Sequence, residues 1–201
     1  MKSFSVLMIF VLSSLSHLSG ANWPAWRGPT GNGVSSNGKF PSDFTNEKNV
    51  KWKVALPGSG SSTPAIWEDY IFITSAIDSK DGVTCFTRDG EKRWSHTFGD
   101  ERGGKHKNGS GSNPSPVTDG KNVFVYYKSG TLASVDFKGK EIWKRNLQND
   151  FGADSLWWDL GTSPVLVGDM IVVAVMQEYE GGDPKVEEDS YLVAFSKSTG
   201  K

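Results

Sequence analysis

The residues with the clearest chemical potential are two tryptophans flanked by aspartates: Asp154, Trp157, Trp158 and Asp159. Indole rings stack on sugars or planar ligands, and nearby carboxylates can bind the polar groups of such ligands. The alternative is that one tryptophan packs in the core while the aspartates cap turns. Both interpretations stay open, and these four residues are the first candidates for ligand binding.

A second candidate is the glycine-rich, basic segment 99–110, which contains His106 and Asn108. Successive backbone N–H groups in such a loop can form a concave site for an anion. A solvated loop without a ligand is the alternative. His106 has no cysteine or histidine at metal-ligand spacing, so we predict no metal site here.

An acidic segment near the end of the sequence carries six carboxylates: Glu178, Glu180, Asp183, Glu187, Glu188 and Asp189. Calcium prefers oxygen ligands, but the Asp-x-Asp-x-Asp-Gly spacing of a dedicated calcium loop is absent from the segment. We therefore interpret it as a solvated loop and predict no metal site.

Composition narrows the remaining classes of function. The formal net charge of −1 creates no overall attraction to nucleic acid, so we expect no nucleic-acid partner. Cys85 is the only cysteine, which excludes an intrachain disulfide. The hydrolase patterns Gly-x-Ser-x-Gly and His-Glu-x-x-His do not occur in the sequence. No catalytic residue is predicted, and no cofactor is evident.

The elements that must position these candidates form a repeat. Pro64, Pro116 and Pro164 each follow a serine or threonine and are separated by 52 and 48 residues. After each proline come a turn and a run of β-branched and aromatic residues, which predict a buried strand. These runs are 70–74, 123–127 and 170–175.

Each unit continues with a third strand and a glycine turn, and Trp94 and Trp143 each lie four residues after such a glycine. Four strands per repeat are typical of a β-propeller blade. No helical periodicity is found in these units. The sequence therefore predicts an all-β fold, a β-propeller of four-stranded blades, with Trp52, Trp94 and Trp143 packed between blades.

A family resemblance rests on two segments. Residues 134–143, Ser-Val-Asp-Phe-Lys-Gly-Lys-Glu-Ile-Trp, resemble the tryptophan-docking motif of pyrroloquinoline-quinone (PQQ) repeat propellers. Residues 23–29, Trp-Pro-Ala-Trp-Arg-Gly-Pro, are similar to the start of secreted bacterial proteins of the BamB-like family. The motif is less complete in the other units, where Thr87 and Ser196 replace its aspartate. The resemblance implies a fragment with about three of about eight blades, the third incomplete.

The resemblance also implies more than one function. We favour a non-catalytic propeller that binds a protein or small-molecule partner. The first alternative is a PQQ-dependent alcohol or sugar dehydrogenase, which would bind PQQ and calcium with most of its active site beyond residue 201. Many relatives of that kind stack PQQ against a disulfide between adjacent cysteines, which this sequence cannot form. A carbohydrate-binding module using Trp157 and Trp158 is the other alternative.

The sequence divides into three parts. Residues 1–21 are predicted to be an export signal, because an apolar run follows Lys2 and small residues precede Asn22. Residues 22–61 are predicted to end in an outer strand, 49–56, that closes the last blade through Trp52. Residues 62–201 are predicted to hold the three blades.

The predicted export signal determines the expected location. We expect an exported protein, periplasmic or extracellular, with no transmembrane segment, because the apolar run is too short to span a bilayer. Alanine stands at position 21, where a lipoprotein would carry its lipid-bearing cysteine, so we expect no lipid anchor.

In the predicted propeller, the long loops share one face, and that face is where a site is expected.

Overall fold

A computed structural model describes residues 21–35, 38, 40–45, 48–152, 158–176 and 190–201. The predicted export signal lies almost entirely outside this set. The described residues form eleven strands and one short helix. The strands are β1 (Ala65–Trp67), β2 (Tyr70–Ile77), β3 (Lys80–Phe86), β4 (Lys92–Asp100), β5 (Val117–Thr118), β6 (Asn122–Tyr126), β7 (Thr131–Asp136), β8 (Glu141–Asn146), β9 (Val165–Val167), β10 (Met170–Val175) and β11 (Tyr191–Ser196), and the helix is α1 (Leu147–Phe151).

The strands form three antiparallel sheets, each in chain order. The first blade is β1 to β4, the second is β5 to β8, and the third contains β9 to β11. Consecutive strands are neighbours in every sheet, so each sheet is a meander, and short turns join the strands of the first and second blades. The prediction of four-stranded propeller blades is confirmed, with three strands described in the third blade.

Apolar packing joins the blades, because successive residues of a strand face opposite sides of the sheet. In β6, Val123 and Val125 are fully buried in a cluster with Phe72 of the first blade. Phe124, between them, is fully buried in a cluster with Ile171 of the third blade. Along β6, the second blade is therefore covered on one face by the first blade and on the other face by the third blade.

The same kind of indole hydrogen bond occurs three times, twice between neighbouring blades and once between the segment before β1 and the first blade. The ring Nε1–H of a tryptophan donates to a backbone carbonyl in the turn that follows the third strand of the next blade. The donor and acceptor residues are Trp52 and Arg88 at 2.7 Å, Trp94 and Phe137 at 2.9 Å, and Trp143 and Lys197 at 2.9 Å.

The turn that receives Trp94 requires glycine. Gly139 has a φ of 88°, and a Cβ at this position would lie 2.9 Å from Cδ2 of the Trp94 ring. Asp136 holds the same turn, because its Oδ1 accepts the backbone N–H groups of Lys138 and Lys140 at 2.8 and 2.9 Å. The motif thus combines three parts: an indole ring, a glycine in the left-handed conformation, and a carboxylate that accepts the backbone N–H groups of the turn.

The residues preceding the repeated prolines link the inner ends of the blades. The backbone N–H of Thr63 donates to Oγ of Ser115 at 2.8 Å. The backbone N–H of Ser115 donates in turn to Oγ of Ser163 at 2.9 Å. The second and third blades therefore each supply a hydroxyl to the blade before them, which links the inner ends of neighbouring sheets.

Two local features differ from the sequence-based expectation. Residues 49–56, predicted to be an outer strand, lie in none of the named strands. The described residues also contain helix α1, which the all-β prediction did not include. It begins after Asn146, whose side-chain oxygen accepts the backbone N–H groups of Gln148 and Asn149, and this N-cap stabilises the single turn.

The third blade presents an apolar face to solvent. Val165 and Val167 of β9, Met170 of β10 and Leu192 of β11 are exposed, and Leu192 reaches 74%. Val172 on this face holds the register position that Phe124 occupies in the second blade. This is the same kind of surface that the second blade buries against the third.

We predict that Trp143→Ala in the full-length protein lowers the free energy of unfolding by about 3–5 kcal/mol, because it leaves a cavity between blades. Trp143→Phe retains most of the packing but removes the N–H donor, and should cost about 1–2 kcal/mol. The exposed neighbour Ile142 is the control, with an expected change in Ile142→Ala within about 0.5 kcal/mol. Urea unfolding measures all three, and an unchanged midpoint in Trp143→Ala would contradict the docking role.

Candidate functional site

Asp159 lies at the centre of a cluster on the long-loop face. Its Oδ1 accepts the backbone N–H of Lys105 at 2.7 Å, and its Oδ2 accepts that of His106 at 3.1 Å. The ammonium group of Lys128 lies 2.5 Å from Oδ1. Two of the sequence candidates, Asp159 and His106, are therefore brought together.

Lys128 is almost completely buried, with 1% of its side chain exposed. It follows β6, in the turn to β7, and its Nζ also donates to the carbonyl of Gly103 at 3.3 Å. Its backbone N–H donates to the carbonyl of Gly111 at 2.9 Å, and its carbonyl accepts from the Gln148 side chain. Lys128 thus joins the long loops before and after the second blade.

The glycine-rich loop does bind an anion through its backbone, and that anion is the carboxylate of Asp159. Gly109 permits the close approach, since a Cβ at this position would lie 1.7 Å from Oδ2 of Asp159. The segment predicted as a site for an external anion is filled here by a side chain of the same chain.

The electrostatics of Asp159 follow from its surroundings. Burial opposes ionisation of its carboxyl group, but the hydrogen bonds from Lys128 and from the backbone of Lys105 and His106 outweigh burial. Together they lower the pKa of Asp159 below its usual value of 3.8. The carboxylate therefore stays ionised and bound to Lys128 at neutral pH.

The other candidates have different positions. Asn108 is exposed, and its backbone N–H donates to Nδ1 of the exposed His106 at 3.2 Å. Trp158 precedes Asp159 and is 61% exposed. Asp154 and Trp157 lie outside the described residues, as does the acidic segment 178–189.

Sequence reasoning missed Lys128, which holds the cluster together. The available signal was its position directly after the buried run 123–127, where a lysine is unusual. A buried lysine needs a paired carboxylate. That requirement pointed to an acidic partner on a neighbouring loop, although it could not identify Asp159.

A second buried carboxylate lies between the first and second blades. Asp81, at the start of β3, is fully buried; its Oδ2 accepts a hydrogen bond from the Ser129 hydroxyl, and its Oδ1 has no hydrogen-bond partner among the described residues. Burial raises the pKa of Asp81 to about 6, assisted by the charges of Glu101 and Asp100 and opposed by hydrogen bonds from Ser129 and Thr131.

The described candidates do not fit the PQQ and calcium site that the resemblance implies. The Asp159 carboxylate already accepts three hydrogen bonds, one of them from a buried ammonium group. Cys85 is buried in the core, where desolvation raises the pKa of its thiol to about 12. In the described part of the chain, no three His, Cys, Asp or Glu side chains are grouped closely enough to hold a metal ion.

The blade packing, the repeated indole hydrogen bonds and the loop face define a β-propeller with tryptophan-docked blades. Residues 44–201 match the family model described as outer membrane protein assembly factor BamB, and the chain belongs to that family. A search of curated proteins finds no match. No helix among the described residues is long and apolar enough to span a membrane.

Solved structures with similar folds are propeller proteins of more than one activity. Quinohemoprotein alcohol dehydrogenase ADHIIG from Pseudomonas putida HK5 is 20% identical, with a TM-score of 0.50 over 75% of this chain and 21% of its own. BamB from Moraxella catarrhalis is 18% identical, with a TM-score of 0.46 over 75% of this chain and 38% of its own. The chain thus spans less than two fifths of either relative.

We predict that Asp159→Ala lowers the free energy of unfolding by about 3–5 kcal/mol, because Lys128 is left buried without a counter-ion. The double variant Lys128→Met, Asp159→Leu should recover most of this loss. The loss should shrink as the pH falls through the lowered pKa of Asp159, where the parent also loses its ion pair. Chemical unfolding between pH 3 and pH 8 tests this, and a pH-independent difference would contradict it.

We predict that Asp81→Asn stabilises the protein at pH 8, by about 1–3 kcal/mol, and changes little near pH 4. A folded-state pKa of about 6 means that the folded protein binds the proton more tightly, so stability is lost as the pH rises through about 6. Asparagine removes that buried charge. The exposed Asp89 provides a control, and equal effects of Asp89→Asn and Asp81→Asn would contradict the assignment.

Proposed function

We propose that this protein is an exported, non-catalytic propeller that binds a partner protein through its long-loop face. The observation that carries the proposal is the use of Asp159. Its carboxylate is consumed in holding the two loops together, which leaves the adjacent Trp158 projecting from a fixed point at 61% exposure.

An exposed indole on a supported loop suits protein recognition. Tryptophan is enriched among residues that dominate binding energy, and a preorganised position lowers the entropy lost on association. His106 and Asn108 are also exposed on the loop that Asp159 holds, so polar groups accompany the ring. The site therefore offers one large apolar contact with a polar rim.

The family membership supports a binding role as the first reading, because its model is described as an assembly factor. The dehydrogenase alternative requires a carboxylate that is available to a cation or to substrate, and Asp159 is bound to Lys128 instead. Export of the mature chain from residue 22 remains part of the proposal, based on the apolar segment after Lys2.

Site-specific photo-crosslinking tests the partner. A photoreactive phenylalanine analogue at position 158 of the full-length protein, expressed in cells of the source organism, should yield a discrete protein adduct on irradiation. The matched control is position 142, also exposed but on the outer strand β8. An adduct equally strong at both positions, or none at position 158, would contradict this site.

Cofactor retention separates binding protein from dehydrogenase. We expect that the full-length protein, incubated with PQQ and calcium and then gel-filtered, retains no quinone absorbance and reduces no dye with alcohols or aldoses. Retained quinone with dye reduction, both abolished by Asp159→Asn or Trp158→Ala, would replace the proposed function with an enzymatic one.

A further inference from the structure

A pocket of about 650 Å³ lies between the N-terminal segment 24–31 and the inner strands of the second and third blades. Pockets of roughly 300–1,000 Å³ accommodate small molecules or short peptide segments. The walls are mainly apolar and include Pro24, Val117 and Leu166. Segment 24–31, which forms one wall of this pocket, precedes the family match at 44–201.

The N-terminal segment already adds backbone to two inner strands. In the first blade, Trp23 and Ile66 exchange two backbone hydrogen bonds, both of 2.8 Å. In the second blade, the backbone N–H of Thr118 donates to the carbonyl of Pro24 at 2.9 Å. Ile66 and Thr118 hold equivalent register positions, opposite Ile71 and Val123. An extended chain therefore crosses the inner edges of both blades at the same level.

Leu166 is the equivalent residue of the third blade. It lies opposite Ile171 in the same register, so its N–H and C=O point away from β10 and toward the pocket, as those of Ile66 point toward Trp23. No described residue hydrogen-bonds either group. The position that receives extended backbone in the other blades is open here, and it lines the pocket.

The pocket also carries a positive charge, that of Arg27. Arg27 lines it and stacks over the Trp26 ring, with the guanidinium carbon 5.2 Å from the ring centroid. No carboxylate among the described residues forms an ion pair with Arg27. The Trp26 ring is itself 57% exposed. A carboxylate is the complementary group for this cation, and an apolar side chain is complementary to the walls.

We propose that this pocket binds an extended peptide that pairs with the inner edge of β9 at Leu166. One apolar side chain of the peptide enters the pocket, and one carboxylate contacts Arg27. Main-chain hydrogen bonds to a free strand edge supply affinity, and the pocket supplies selectivity. This site is separate from the Trp158 loop face, so either can exist without the other.

Peptide binding to the full-length protein tests the site. The probe is a fluorescein-labelled hexapeptide of alternating valine and threonine with a C-terminal aspartate, measured by fluorescence polarisation. We expect binding that weakens on the order of tenfold in Arg27→Gln, because a charge-assisted contact is lost. Arg93→Gln is the matched control, since Arg93 also stacks on an aromatic ring, Tyr70, but lies outside the pocket.

Backbone pairing has its own control. Two further peptides carry N-methyl groups on the amides of one edge or of the other edge. Only one of them should lose affinity, because a strand pairs through a single edge. Equal binding of both methylated peptides, an unchanged affinity in Arg27→Gln, or no binding of the parent peptide at ~1 mM would each overturn the proposal.

Discussion

A blade of this protein has two apolar faces, so it cannot be stable alone and must be covered on both sides. The indole hydrogen bond decides how that covering is made. Trp94 and Trp143 each place an N–H on a carbonyl of the following blade, while the ring covers a glycine turn. Because each bond has one geometry, it fixes both the spacing and the rotation between sheets. The loop clusters and the inner strand edges inherit their positions from these contacts.

Much of the fold could be predicted from the sequence, because the patterns that specify each strand and turn are local. The serine or threonine before each repeated proline, the β-branched runs and the glycine turns specify one strand or turn each. The pairing of the predicted strand 49–56 could not be judged from its sequence, because pairing depends on a neighbouring edge and not on the segment itself. The helical turn at 147–151 depends on the cap made by Asn146, which reads in sequence as an ordinary loop residue.

The candidate site could be predicted only in part from the sequence, for a physical reason. Sequence indicated that the glycine-rich loop could bind an anion, and that Asp159 was an available carboxylate. It could not show that one is the ligand of the other, because 53 residues separate His106 from Asp159. The role of Lys128 could not be predicted either, since its burial depends on how the blades pack. Contacts between blades form only when the blades pack together. The sequence therefore shows the residues that make these contacts, but not which residues meet.

The ion pair of Lys128 and Asp159 is an inefficient source of stability, since two apolar side chains of similar volume would serve as well or better. What the ion pair provides is a fixed position and orientation for Asp159. An apolar contact tolerates sliding, whereas Asp159 must meet one ammonium group and two backbone N–H groups at once. That requirement fixes where the chain leaves the loop, and therefore where the next side chain, Trp158, projects. The ion pair therefore acts on the surface of the protein through the neighbouring residue, because it determines where the exposed Trp158 ring begins.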